Sequence, residues 1–222
     1  MLKKGIPFLI ILFVIVGIVY IKYSQKTVSE PVTEQTEEAD LSDDFAGLKE
    51  STEAAPGFKK FTIDENYFSC DIPETWELVK TEIRKNKKGV HGIELVGPRI
   101  NNAPTLARIK FYSKNNIYFD SYNSFINSNS KDIFGDKKTK TDTYGPVEEI
   151  KLNGKIAFRF ESEIKEYTDL ESKSGDFIML KEKFYVIPSD KGFHILQFMS
   201  SEPSYSKYLP LFDEMVYSFR GV

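Results

Sequence analysis

Few side chains in this sequence are equipped for chemistry, and their spacing brings none of them into a reactive pair. Cys70 is the single cysteine of 222 residues, so no intrachain disulfide can form. A cysteine nucleophile works as its thiolate and needs a base at hand. No histidine stands near Cys70 in the chain. Cys70 instead alternates with Phe68 and Ile72 against Ser69 and Asp71, the period-two pattern of a strand that turns its thiol inward as a small hydrophobe. His91 follows a basic stretch, and His194 is in phase with Leu196 and Phe198. Neither histidine belongs to a cysteine cluster or to H-E-x-x-H, so no zinc site is expected. Acidic residues are plentiful, but no paired carboxylates stand out for glycosidase work. G-x-S-x-G, the Walker A motif, the EF-hand loop and the N-x-S/T sequon are all missing from the sequence. No catalytic residue, metal or cofactor is expected. The densest basic group is Arg84, Lys85, Lys87 and Lys88, beside Gly89 and His91. At a hairpin tip it could meet an anion, a lipid headgroup or an acidic partner. The alternative is a solvated tip whose charges discourage edge pairing.

These residues must be positioned by strands. After Phe68–Ile72, the Pro73-Glu74-Thr75-Trp76 run makes a turn, and Trp76–Ile83 reads as a second strand. Ile93–Val96 and Ala107–Tyr112 follow, the latter with Ala107, Ile109 and Phe111 on one side and Arg108, Lys110 and Tyr112 on the other. Asn153-Gly154 between two alternating runs is a strong hairpin signal. Phe177–Ile187 and Phe193–Met199 form a last pair. Two segments change to helical spacing. One is the Phe119, Tyr122, Phe125, Ile126 stripe. The other is Tyr208, Leu209, Phe212, Met215, Val216 and Phe219, with Pro203 near its start and Pro210 as a kink or first turn. The expectation is an α+β domain over residues 58–222, an antiparallel sheet of about seven strands with one helix inserted and one closing it.

Two segments precede that domain. Between Lys4 and Lys22 lie 17 uncharged residues, GIPFLIILFVIVGIVYI. As a helix they cover roughly 25 Å, enough for a thin bilayer. The run is long for a signal peptide, lacks a small-x-small cleavage site and is followed by Lys22, Tyr23 and Lys26. Residues 1–26 therefore read as an uncleaved anchor that meets the membrane through residues 5–21. The positive-inside rule slightly favours a cytoplasmic N-terminus, with the rest of the chain outside. Residues 27–57 hold nine acidic side chains against Lys49, a net charge of −8. This composition cannot offset its ordering entropy, so a disordered stalk is expected, with a reach of roughly 30 Å.

From 58 to 222 there are 25 Lys and Arg against 24 Asp and Glu, which argues against a nucleic-acid partner. The Tyr67–Trp76 segment, YFSCDIPETW, has a strand followed by P-x-x-W near the domain start. Together with the Asn153-Gly154 hairpin, the Gly192–Met199 strand and a closing helix ending Tyr217-Ser218-Phe219, it resembles the PsbP-like family. That family comprises the extrinsic subunits of the photosynthetic oxygen-evolving complex and bacterial relatives of unknown function. A nuclear import factor that binds the GTPase Ran shares the fold. The resemblance implies an α/β/α sandwich around an antiparallel sheet and no shared active site. The plant proteins' metal-related residues have no match here. The whole then reads as a membrane-anchored, non-catalytic accessory module that binds a protein complex or envelope component. The alternative is a small-ligand or lipid binding domain of the envelope.

Overall fold

The computed structural model describes residues 54–80, 89–100, 103, 105–167 and 177–222. The expected anchor, the stalk up to residue 53 and the basic residues Arg84, Lys85, Lys87 and Lys88 lie outside the described residues. Among the described residues no helix is long and apolar enough to cross a membrane.

Along the chain run β1 (Phe58–Thr62), β2 (Phe68–Pro73), β3 (Glu77–Lys80), β4 (Val90–Val96), β5 (Leu106–Ser113), α1 (Tyr122–Asn129), β6 (Asp142–Tyr144) and β7 (Glu148–Leu152). Then come β8 (Lys155–Tyr167), β9 (Phe177–Ser189), β10 (Gly192–Ser201), α2 (Glu202–Ser218) and β11 (Arg220–Gly221). The single sheet expected from the sequence is in fact two. Eight strands form the larger, in the order β3-β4-β5-β10-β9-β8-β6 with β7 also on β8, and three form the smaller, β1-β2-β11. The turn at Pro73–Trp76 is the reason. It carries the chain from the small sheet into the large one, so β2 pairs with β1 and β11 rather than with β3. Each of these strand pairings is antiparallel. The β7–β8 hairpin turns on Asn153 and Gly154, at φ 51° and 76°. Positive φ at both central residues is what a type I′ turn demands and what Asn-Gly supplies at little steric cost.

The large sheet buries both faces. Ala107, Ile109 and Phe111 of β5 join Leu196 and Phe198 of β10 in one core, covered by α2 and β2. Tyr112, Phe193, Ile195 and Phe184 turn to the opposite core, where α1 contributes Phe125 and Ile126. The two helices therefore lie on opposite faces. A capping box starts α1: Ser121 Oγ accepts from the Ser124 N–H, and Ser124 Oγ accepts from the Ser121 N–H. Pro210 does not start α2; the helix begins at Glu202, carries Pro203 in its first turn and runs through Pro210. Ser206 and Pro210 are both exposed, so water can meet the Ser206 carbonyl that loses its N–H donor.

Candidate functional site

Register brings together two histidines that the sequence keeps far apart. His91 on β4 and His194 on β10 both stand opposite Phe111 of β5. They sit two strand spacings apart, roughly 10 Å. Tyr67 lies over the row, its ring 4.1 Å from His91 and 4.8 Å from Phe111, centroid to centroid. The Tyr67 carbonyl lies 3.1 Å from His194 Nε2. A carbonyl can only accept, so Nε2 carries the proton and the neutral ring has its lone pair on Nδ1. Burial pushes the His194 pKa down to about 4, partly offset by that carbonyl, with Lys155 lowering it further. His91 is also pushed down, by burial, while Glu65 pulls it up. No group of three or more His, Cys, Asp or Glu among the described residues is placed to hold a metal.

Beside His194 opens a cleft of about 120 Å³, bounded by Asn153, Lys155, Ile187, Ser189 and Phe219. Among the described residues, His194 Nδ1 and Ser189 Oγ are buried there without hydrogen-bond partners. They do not bond each other, so they form no serine–histidine nucleophile pair. Two unsatisfied polar atoms in a small cavity suit one or a few small polar molecules.

Cys70 is buried at 3 % exposure. Burial raises its thiol pKa far out of the reactive range, and Asp71 adds to the rise. Native protein should therefore resist a bulky thiol reagent, and Cys70→Ala should cost only about 1 kcal/mol; rapid labelling of the folded chain would contradict the burial. A polar row crosses the large sheet on the α1 side. Arg108 Nε donates to Glu94, Gln197 Nε2 donates to Glu182 at 2.8 Å, and Ser162 Oγ donates to Glu182 at 2.8 Å. Burial raises the Glu182 pKa, and the Ser162 and Gln197 hydrogen bonds hold it back. These partners satisfy the carboxylate, as buried polar networks require.

The surface is different at one end of the sheet. The Ser113 N–H donates to the Gly89 carbonyl at 2.8 Å, and the Lys114 N–H to the Lys191 carbonyl at 3.0 Å. The start of β4, the end of β5 and the β9–β10 turn thus meet. Gly89 has φ 63°, and a Cβ there would stand 2.4 Å from Ser113 Oγ and 2.9 Å from Asn116 Cα, so only glycine fits. Asn116 fixes the next loop. Its Oδ1 accepts from the Tyr118 and Phe119 N–H groups, and its Nδ2 donates to the Ser113 and Phe119 carbonyls. Phe119 packs on Tyr112 and Phe125 beneath. Ile117 and Tyr118 are left standing in water at 66 % and 50 % exposure. The chain that enters β4 at Gly89 brings Arg84, Lys85, Lys87 and Lys88 immediately before it. The sequence marked those four cations; it held no sign of Ile117 and Tyr118, whose exposure depends on Asn116 pinning the loop.

The likeness read from the strand and turn motifs is met at the level of structure, weakly. The chain resembles PsbP-like proteins in fold. It is similar to cyanobacterial PsbP (CyanoP) from Synechocystis sp. PCC 6803, at 12 % identity and a TM-score of 0.45 over 79 % of this chain and 98 % of that one. It is also similar to LpqN of Mycobacterium tuberculosis, described as involved in cell envelope biogenesis, at 14 % identity and a TM-score of 0.40 over 73 % and 88 % of the two chains. The Saccharomyces cerevisiae Ran-binding protein Mog1p matches at 11 % identity and a TM-score of 0.41, over 74 % and 95 %. No family model matches the sequence, and no curated protein is similar to it.

Proposed function

We propose that this chain is a membrane-anchored, non-catalytic accessory module. In this reading residues 5–21 hold it in the cell membrane, the acidic stalk to residue 57 spaces it, and the domain at 58–222 lies outside the cytoplasm. The domain works by docking on a protein partner with an acidic surface. The observation that carries the reading is the pairing at the Gly89 end of the sheet. Ile117 and Tyr118 are held out of the core there, beside the point where four cations join the chain. Meanwhile Cys70 and His194 are buried. An exposed aromatic and aliphatic pair can anchor a binding hot spot, and the four cations that precede Gly89 in the sequence suit an acidic partner.

A photo-crosslinker placed at Tyr118 of the full chain, in native membranes, tests it. A discrete adduct is expected that fades with salt and with Arg84, Lys85, Lys87 and Lys88 all changed to Ser, while carbonate washing leaves the chain in the membrane. The same adducts from a crosslinker at exposed Lys207, or none at Tyr118, would sink the docking site. The His194 cleft supports a second reading, a small-ligand domain of the envelope. Its size suits a compact polar molecule rather than a lipid tail.

A further inference from the structure

We propose that the Ile133–Phe134 turn is a second membrane contact, a tip that seats on anionic lipid. These two residues are the most exposed large apolar side chains among the described residues, at 84 % and 81 %. Being adjacent, they form one contiguous apolar patch rather than scattered single residues. The turn is built to hold them there. Asp132 Oδ1 accepts from the Phe134 N–H at 2.9 Å and from the Asp136 N–H at 2.7 Å. The Gly135 N–H donates to the Asp132 carbonyl, and the Asp132 N–H to that of Asp136. Gly135 takes φ 92°, which closes the turn. Below the tip, Lys137 Nζ donates to the Ser130 carbonyl at 2.6 Å and ties the base of the loop to the end of α1.

Charge decides the partner. Lys131, Lys138 and Lys140 flank the two apolar residues. Asp132 turns its carboxylate to the backbone, which leaves Asp136 as the one acid exposed on the loop. Ile133 and Phe134 stand side by side in the turn, with lysines on either side of them in the chain. Such a tip suits shallow insertion at a headgroup boundary, with cations held against anionic lipid. The inference rests on the anchored reading for proximity alone, since a stalk of this length keeps the bilayer within reach.

Phe134→Trp in the full chain supplies the probe, with Trp76 as a buried second fluorophore. The chain is reconstituted in phosphatidylcholine vesicles, with or without phosphatidylglycerol, that carry brominated acyl chains. Bromine should quench the introduced indole in the anionic vesicles. Changing Lys131, Lys138 and Lys140 to Gln should lower the bound-to-free ratio of the tip roughly a hundredfold, to the neutral-lipid level. Equal quenching in both lipids, indifferent to the lysines, overturns the anionic assignment. Flotation after carbonate treatment reads the anchor separately. A chain that floats with the introduced indole unquenched overturns the tip contact and leaves the anchor standing. Quenching in a chain that carbonate strips from the vesicles does the reverse, and neither signal overturns both.

Discussion

Replacing Phe212 with alanine should cost about 3–5 kcal/mol, a large part of what holds a domain of this size together. Phe212 is fully buried in the middle of α2. Its ring stacks on Phe198 of β10 at 5.4 Å and lies 6.1 Å from Tyr185 of β9. Those strands are central to the large sheet and cannot move inward to fill the space, so the loss is transfer energy plus a cavity. Denaturant melts of the detergent-solubilised chain should show a lower midpoint with an unchanged slope, and thermal melts a fall of about 10 °C or more. Leu209, half-buried on the same helix, should cost much less as alanine. Equal losses at the two positions would mean that α2 does not close the core as described.

A pH titration of stability should expose His194. In the unfolded chain it takes a proton near pH 6.5; in the fold burial holds it neutral down to about pH 4. Between those values the unfolded chain binds more protons, so falling pH favours unfolding. The contribution is complete above about pH 6.5, fades as pH falls and is gone near pH 4. The gap is worth about 3 kcal/mol. Glu182 acts in the opposite sense, because its raised pKa lets the fold take up a proton first as pH falls. The informative quantity is thus the difference between the native chain and His194→Gln, which keeps an N–H for the Tyr67 carbonyl but does not titrate. Parallel pH profiles for the two would show that His194 is not held neutral.

Much of this architecture could be read from period and punctuation. The alternation in Phe68–Ile72 and Ala107–Tyr112, the Asn153-Gly154 turn and the apolar stripe of α2 are local signals, and each is decided by neighbours in sequence. What escaped is decided by register. Nothing near His91 or His194 says that both will face Phe111, because that depends on how three strands slide past one another. The small sheet escaped for a related reason: β11 is two residues long and gains its partner only through β2. Pro210 marks no helix start, although proline is a strong breaker in isolation; here the packing of Tyr208, Phe212 and Met215 outweighs one missing hydrogen bond. The two exposed apolar tips are legible only in retrospect. Asn116 and Asp132 are ordinary turn formers until their side-chain hydrogen bonds are seen.

The pairing of β2 with β11 also sets an order of events during synthesis. Ser69 lies opposite Arg220, and the Asp71 N–H donates to Ser218 Oγ, 147 positions along the chain. The small sheet cannot close before the ribosome has delivered Arg220. Contacts of such separation are slow to form, since the whole intervening chain must first be drawn in. Phe68, Cys70 and Ile72 would remain uncovered throughout elongation, and the thiol that is unreachable in the finished domain would be open to modification. Cys70 then acts as a clock: in pulse-labelled chains, the moment at which it escapes a thiol reagent marks closure of the small sheet. Protection before residue 220 is made would show that β2 finds other cover.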